Sequence, residues 1–205
     1  MGPLGCDDVR DYYEHEARLR RRRPVRGRRL DLRTDFVEHL AADGRGSVID
    51  LGGGPGGDAE AFRAAGHDAV GIDLAIGNAA LAAEVGLLAI HGSVTHLPIR
   101  SSSFDAGWSM SVLMHLDAPA MAASVAELTR VLRPGAPAVI GIWGRESEGL
   151  VVEPDELPGS QRPFHLRSFA TNRRLVAACG PIERAERWPD AAPGEDYQVF
   201  WVRRA

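Results

Sequence analysis

The sequence lacks three features that would place it in other classes of protein. It contains no lysine, no apolar run of membrane-spanning length, and only two cysteines, Cys6 and Cys179, without CxxC spacing. The cysteine pattern argues against both a disulfide framework and a metal site, so we expect no metal. Because no apolar segment of the secretory-signal kind follows the first residues, we expect a cytoplasmic protein without a membrane anchor.

All of the basic charge is carried by arginine, and it is unevenly distributed. Eight of the 24 arginines lie between Arg18 and Arg29, so the rest of the chain is acidic within a net charge of −4. The run has three interpretations: a solvated helix face, a phosphate or nucleic-acid site, or a groove for a protein partner. Since the pI is about 6.0 and no aromatic RNA-binding module is present, we expect no nucleic-acid partner.

Strands and helices alternate along most of the 205 residues. Helices predicted at 9–22 and 30–42 make residues 1–45 an N-terminal helical cap or lid. Residues 46–205 alternate short apolar strands with helices, which is typical of parallel βαβ units in one α/β domain. A loop rich in Pro, Gly and Glu is predicted from Arg145 to Arg162. No helix separates the last two strands, so we expect them to form a hairpin.

The stretch SVIDLGGGPGGD, residues 47–58, joins a predicted buried strand to a helix and fits two cofactor fingerprints. Numbered from Gly52 it is the G-x-G-x-x-G of nicotinamide dinucleotide binding, and from Asp50 it is the D-x-G-x-G-x-G of S-adenosylmethionine binding. Glycine allows the backbone to approach a ligand where a Cβ would block it. Asp73 ends the next strand, where a carboxylate accepts hydrogen bonds from ribose hydroxyls. Both cofactors contain ribose, so these residues leave the choice open.

Four motifs in order resemble those of the class I S-adenosylmethionine-dependent methyltransferases, of the small type known as methyltransferase domain 11-like. They are VIDLGGGPGGD, AVGIDLA, HGSVTHLPIRSSSFDAGWSMSVLMHL and ELTRVLRPGAPAVIGIW, which together run from about Ser47 to Trp143. The resemblance implies a doubly wound, Rossmann-like seven-stranded sheet in the order 3-2-1-4-5-7-6, with strand 7 antiparallel and helices on both faces. It also selects S-adenosylmethionine as the cofactor, with S-adenosylhomocysteine as the product.

The resemblance further assigns residues to each part of the cofactor. They are Gly52, Gly54 and Gly56 at the amino-acid end, Asp50 holding the loop or reaching the ammonium group through water, Asp73 at the ribose, Leu74 against the adenine, Ser93 and Val94 at the adenine edge, and Ser109 and Met110 at the methionine portion. Gly57 is assigned to helix packing. Two positions depart from the family pattern, because Ser93 replaces an Asp and Ala75 replaces a common Ser. A neutral hydroxyl is a weaker acceptor than a carboxylate, which weakens the expected grip on adenine.

Methyl transfer requires a nucleophile held in line and, for a hydroxyl, a base. His115 follows the fourth predicted strand and is the candidate base or substrate-orienting residue, since histidine exchanges protons near neutral pH. The alternative is a buried, hydrogen-bonded histidine. The candidate substrate residues are Tyr12 and Tyr13 in the N-terminal segment, Trp143 and Arg145 after the fifth strand, and Arg162 and His165 after the predicted loop. Packing or helix initiation is the alternative for each of them.

The resemblance implies methyl transfer to oxygen or nitrogen of a small molecule, in specialised metabolism. One alternative is a repurposed fold, either a partner subunit or an enzyme of other chemistry, that binds the cofactor without transferring methyl, because fold does not fix function. RNA methylation is a further alternative, although SMSV stands where amino-methylating enzymes carry an Asn-Pro-Pro-Tyr-type motif. The expected partner is a small molecule, and a protein partner or a homodimer stays open.

Overall fold

A seven-stranded sheet with helices on both faces forms the core of the computed structural model, which describes residues 6–19, 25–154, 161–189 and 194–205. The helices are α1 (Cys6–Leu19), α2 (Arg28–Ala42), α3 (Gly57–Ala64), α4 (Ile76–Ala83), α5 (Ala118–Val131) and α6 (Phe169–Val176). The strands are β1 (Ser47–Leu51), β2 (Asp68–Asp73), β3 (Leu88–His91), β4 (Ala106–Met110), β5 (Pro137–Arg145), β6 (Gly149–Pro154), β7 (Gln161–Leu166), β8 (Ile182–Pro189) and β9 (Glu195–Arg203). None of the described helices is long and apolar enough to cross a membrane.

The strand order confirms the predicted topology. The sheet runs β3-β2-β1-β4-β5-β9-β8, and its first five strands are parallel. β9 is antiparallel to both β5 and β8, so β8 and β9 form the predicted hairpin. Because β6 and β7 lie outside this sheet, β8 and β9 are its sixth and seventh strands, which gives the order 3-2-1-4-5-7-6.

The predicted loop from Arg145 to Arg162 was wrong for the described part of that stretch. β5 continues through Arg145, and β6 and β7 pair antiparallel over six residues each. The Pro, Gly and Glu residues that suggested a loop are depleted in strands generally. In a two-stranded sheet both strands are edges, where proline is tolerated because its missing N–H can face outward. Pro163 therefore fits within β7.

The two halves of the predicted N-terminal cap pack in different places. α2 belongs to the core, since Leu32, Phe36 and Leu40 are buried and the Phe36 ring stacks on Trp108 with centroids 5.1 Å apart. α1 instead contacts α4 and β7. Within residues 1–45, the described segments that can cover a ligand site are therefore α1 and residues 25–29, which lead into the first turn of α2.

α1 is attached to the first turn of α4. The Glu14 carboxylate accepts hydrogen bonds from the backbone N–H groups of Ile76 and Gly77, the latter at 3.0 Å. These N–H groups have no partner within their own helix, and the helix dipole favours a negative charge there. Gly77 allows the close approach, because a Cβ at that position would lie 2.8 Å from Oε2 of Glu14 and 3.0 Å from the Cβ of Ala17.

Candidate cofactor and acceptor site

A cavity of about 440 Å³ lies at the carboxyl ends of β1, β2 and β4. Its wall combines the glycine loop after β1, the end of β2, the segment after β3, the turn after β4, one side of α1 and residues 25–29. Doubly wound sheets bind their ligands at this edge, and the volume lies within the range of small-molecule sites. The cavity is therefore the candidate site for a cofactor and a small acceptor.

The glycine loop is fixed on the end of β2 and forms one end of the cavity. The N–H groups of Gly52 and Gly53 donate to the carbonyl of Ile72 at 2.7 and 3.1 Å. Gly52 has a φ of +68°, and a Cβ there would lie 2.0 Å from Cγ2 of Val112. Only glycine fits this combination of left-handed backbone and close approach. Gly52, Gly53 and Gly54 consequently present bare backbone to the cavity.

Gly56 and Gly57 have the reverse of their expected roles. Gly56 precedes α3 with a φ of +87° and does not line the cavity; a Cβ there would lie 2.4 Å from Cδ1 of Leu87. Gly57 does line the cavity, and nothing lies within 4 Å of a Cβ built on it. Gly56 is therefore the glycine required for packing, and Gly57 the one that faces the ligand space.

Asp73 organises the ribose end of the cavity. Its Oδ2 accepts from the Gly54 N–H at 2.9 Å, and its Oδ1 accepts from the Ala75 N–H at 2.9 Å and the Asn78 amide at 3.2 Å. Burial raises the pKa of Asp73, and these hydrogen bonds oppose the rise. A carboxylate offers about four lone-pair sites, and these contacts use three of them, so Oδ2 of Asp73 can accept a further hydrogen bond from a ligand hydroxyl.

The predicted adenine residues lie beside Asp73. Leu74, Ser93 and Val94 all line the cavity. The Ser93 hydroxyl is hydrogen-bonded to that of Thr95 at 2.8 Å and accepts from the Thr95 N–H at 3.2 Å. A hydroxyl oxygen in this setting supplies limited further acceptor capacity, in line with the departure of Ser93 from the family pattern.

Two of the predicted cofactor residues lie behind the cavity wall. Asp50 is 2 % exposed and Ser109 is fully buried, and neither lines the cavity, whereas Met110 does. Oδ2 of Asp50 has no hydrogen-bond partner among the described residues. Burial, followed by the nearby charge of Asp58, raises the pKa of Asp50 well above its usual range. Burial therefore favours the protonated form of Asp50, which lies behind the glycine loop.

This protonation predicts a pH dependence of stability. When folding raises the pKa of a carboxyl, its contribution to the stability of the fold is complete below the unfolded pKa of about 3.9. That contribution is lost as the pH rises through the pKa of the folded state. Asp50→Asn, a neutral isostere, should therefore lose less stability than the wild type as the pH rises above about 3.9. Urea unfolding at a series of pH values above this point measures the difference. Equal slopes for the two proteins would show that Asp50 does not titrate with a raised pKa.

Asp58 is a site residue that the sequence analysis did not single out. Its carboxylate lies 5 % exposed at the start of α3 and accepts from Arg29 at 2.7 Å, Arg33 at 3.0 Å and Nε1 of Trp108 at 2.9 Å. Burial raises the pKa of Asp58, but the charge and hydrogen bond of Arg29 outweigh burial and lower it. The sequence did not predict these contacts, because an acid in the first turn of a helix does not indicate which residues of another helix it will contact.

The arginine run reaches the cavity through its C-terminal part. Arg26 and Arg29 both line the cavity, and Arg29 is held there by Asp58. Arg18, at the end of α1, is exposed. Residues 20–24 lie outside the described residues. Part of the run therefore places positive charge beside the glycine loop, which none of the three interpretations predicted.

His115 lines the same cavity, from the short helical turn Leu113–His115 after β4. The residue is buried, its Nδ1 lies 2.8 Å from the carbonyl of Pro163, and its Nε2 lies 2.9 Å from the Tyr13 hydroxyl. A carbonyl can only accept, so the hydrogen-bond network assigns the proton to Nδ1. In the neutral ring the Nε2 lone pair then faces Tyr13 on α1.

Arg162 and Tyr12 support this contact from outside the cavity lining. The Arg162 guanidinium lies over the Tyr12 ring at 5.1 Å and over the Phe164 ring at 4.7 Å, and it is hydrogen-bonded to the Tyr13 side chain. Burial raises the pKa of Tyr13, and Arg162 opposes the rise. The two aromatic faces stabilise the cation. Arg162 therefore faces Tyr13 instead of an acidic or hydroxylated substrate.

The remaining predicted substrate residues lie away from the cavity. Trp143 packs edge-on against Tyr197, with ring centroids 5.0 Å apart. Arg145 donates from Nε to the carbonyl of Ser147 at 2.7 Å. His165 lies in β7, where burial and then Arg167 lower its pKa. Of the described residues assigned to the substrate, Tyr13 is the one that lines the cavity.

Ser111 is a second lining residue that the sequence analysis did not select. It follows β4 with a φ of +60°, an uncommon conformation for a residue with a side chain. Its hydroxyl is hydrogen-bonded to that of Tyr197 at 3.0 Å. Strained backbone of this kind is often found at ligand sites, where surrounding contacts hold it in place.

The sequence around this cavity matches a known family. Residues 49–140, from β1 into β5, match the family model described as "Methyltransferase domain". This stretch of the chain is similar to the domains of that family. The matched residues include the glycine loop, Asp73 and His115, so the similarity covers residues on several sides of the cavity.

A curated relative agrees with this assignment over the same region. A protein described as an uncharacterized methyltransferase from Mycobacterium sp. strain KMS is 38 % identical over 101 residues. The match covers 47 % of this chain and 39 % of the relative. The chain thus spans about two fifths of the length of the curated relatives that it matches.

Solved structures share the fold of this chain. The 1,6-didemethyltoxoflavin N1-methyltransferase of Burkholderia thailandensis, solved with its substrate and S-adenosylhomocysteine, has a TM-score of 0.65 at 22 % identity, covering 90 % of this chain and 93 % of that one. A [4+2]-cyclase has a TM-score of 0.68 at 19 % identity, covering 86 % and 82 %. At these identities the comparison establishes the fold.

Proposed function

We propose that the protein transfers the methyl group of S-adenosylmethionine to a small molecule. The observation that carries this proposal is one cavity lined by Asp73, by the glycine loop and by His115, whose Nε2 can accept a proton. Asp73 offers a hydrogen-bond acceptor to a ribose, and His115 offers a proton acceptor. Both the similarity to the methyltransferase family and the toxoflavin-type structural relative support this function.

The residues of the cavity fit the cofactor. Gly54 and Gly57 border open space, since nothing lies within 4 Å of a Cβ built on either. The Asp73 carboxylate is oriented by the Gly54 and Ala75 N–H groups. Asp73 would hold the ribose, Leu74 and Val94 would flank the adenine, and the glycine loop would face the amino-acid end. When bound, the cofactor supplies a methyl group activated by a sulfonium. The protein then has to orient the acceptor and exclude water.

His115 would orient the acceptor and take its proton. The Pro163 carbonyl fixes the ring and leaves the Nε2 lone pair on the cavity side. A base held in place by a second hydrogen bond is the usual arrangement for proton transfer at an active site. α1 covers this end through Val9, Tyr13 and Ala17, which excludes water from the reacting atoms.

A second candidate function is a fold that binds the cofactor without methyl transfer. The observation that favours it is the structural similarity to a [4+2]-cyclase, an enzyme named for a reaction other than methyl transfer. Asp73 and the glycine loop would serve such a protein equally well. The two functions differ in whether S-adenosylhomocysteine accumulates.

The test combines binding with turnover. Calorimetry should show that the protein binds S-adenosylhomocysteine. With methyl-labelled S-adenosylmethionine and a small-molecule cell extract, label should enter an organic product in equal amount to the S-adenosylhomocysteine formed. Purified RNA in place of the extract serves as the matched control and should stay unlabelled. Binding without transfer from any extract would favour the second function, and labelled RNA would favour RNA methylation.

A further inference from the structure

We infer that the methyl acceptor is a phenol, and that it binds by displacing the Tyr13 hydroxyl from Nε2 of His115. This inference rests on the proposed function, because it describes the acceptor end of the same site. It starts from the 2.9 Å contact between the Tyr13 hydroxyl and Nε2. Tyr13 then occupies, in the resting protein, the place that the acceptor hydroxyl takes before reaction.

The two hydroxyls must exclude one another at Nε2. The Pro163 carbonyl, 2.8 Å from Nδ1, requires the proton on Nδ1, so the neutral ring has its one acceptor position at Nε2. One ring lone pair accepts one hydrogen bond. An acceptor that gives its proton to His115 therefore has to replace Tyr13 there.

The direction of the Tyr13 hydrogen bond is fixed by Arg162. A guanidinium has donors and no acceptor, so its hydrogen bond to the Tyr13 side chain ends on the phenol oxygen. The Tyr13 proton then points to Nε2. Burial keeps Tyr13 in the neutral form by raising its pKa, so the side chain presents an intact phenol to His115.

The surroundings of this contact suit an aromatic ring. The Tyr13 ring lies edge-on to the His115 ring, with centroids 5.5 Å apart and planes at 72°. Val9, one helical turn before Tyr13, and Leu116, next to His115, add apolar surface to the cavity lining. Edge-on aromatic pairs of this geometry are favourable beyond their buried area. A second phenol can therefore repeat the contacts that Tyr13 makes.

The oriented base favours a hydroxyl acceptor over an amine. A neutral amine attacks through its own lone pair and needs no base before the attack, whereas a hydroxyl gains nucleophilicity as its proton leaves.

In the reaction the acceptor O–H proton goes to Nε2 while the new O–CH₃ bond forms. The CH₃–S bond breaks with its electron pair left on sulfur, so the sulfonium becomes a neutral thioether. The positive charge ends on the His115 ring, which later releases the proton to solvent.

The test compares two probes of similar shape on protein loaded with S-adenosylhomocysteine. They are 4-nitrophenol, which carries the hydroxyl, and 4-nitrotoluene, which carries a methyl group instead. The wild type should bind 4-nitrophenol more tightly, and the bound probe should absorb as the phenolate because Nε2 takes its proton. Equal binding of the two probes, or a bound probe that stays in the phenol form, would overturn the inference.

Tyr13→Phe tests the displacement itself. Loss of the competing hydrogen bond, worth about 0.5–1.5 kcal/mol, should tighten 4-nitrophenol binding about 2- to 12-fold and leave 4-nitrotoluene unchanged. Tyr12→Phe is the matched control, since Tyr12 is the neighbouring tyrosine and lies outside the cavity lining. Unchanged or weaker 4-nitrophenol binding in Tyr13→Phe would refute the displacement. Failure of the protein to bind S-adenosylhomocysteine would instead contradict the proposed function. The two outcomes can therefore be told apart.

Discussion

Replacing Asp73 by alanine should lower the affinity for S-adenosylhomocysteine about 10-fold or more. A ribose hydrogen bond to the carboxylate is worth about 1.5–3 kcal/mol, and each 1.4 kcal/mol corresponds to a factor of ten. The same change removes the acceptor for the Gly54 N–H, so the glycine loop also loses a tether at 2.9 Å. Isothermal titration calorimetry of the folded variant measures the loss.

Asp68→Ala is the control for this experiment. Asp68 begins the same strand, β2, and is exposed at the end away from the cavity. Its replacement should leave the affinity within about twofold of the wild type, as is usual for exposed positions without a special contact. An unchanged affinity in Asp73→Ala would overturn the assignment of the ribose site.

Replacing Asp58 by alanine should destabilise the fold by about 3–5 kcal/mol. The variant leaves the guanidinium groups of Arg29 and Arg33 without their carboxylate and Nε1 of Trp108 without its acceptor. Removing one partner of a buried ion pair costs far more than the pair itself contributes, because the remaining charge stays poorly solvated. Urea unfolding at neutral pH measures the change.

Glu60→Ala, on the exposed side of the same helix, provides the comparison. Surface replacements of this kind change stability by about 0.5 kcal/mol or less. If Asp58→Ala is no less stable than Glu60→Ala, then Asp58 does not hold the two arginines in solution. The site would in that case have to position Arg29 by other contacts.

The parts of this protein that follow from local sequence could be predicted. β1, the glycine loop and α3 form a contiguous pattern, in which a buried strand runs into residues that need left-handed backbone. Asp73 could be found because it ends the next strand, and parallel strands bring their carboxyl ends to one edge of the sheet. The sheet order then followed from the resemblance to a family and the helix-free final hairpin.

The parts that depend on distant packing could not be predicted. Which glycine faces the ligand is decided by Leu87, which fills the space beside Gly56 and leaves Gly57 facing the cavity. The contact between Tyr13 and His115 joins residues 102 positions apart, and nothing in either segment specifies the other. The β6–β7 hairpin was missed because its proline and glycine content is typical of loops.

The attachment of α1 has a kinetic consequence. Glu14 binds the N–H groups that begin α4, next to the adenosine end of the cavity, while the preceding residue, Tyr13, contacts His115 at the acceptor end. Because the two residues are consecutive in one helical turn, a movement of the helix away from the cavity would break both contacts together. We therefore expect both products to dissociate with a common rate constant, set by the opening of α1 and insensitive to which product is the tighter ligand.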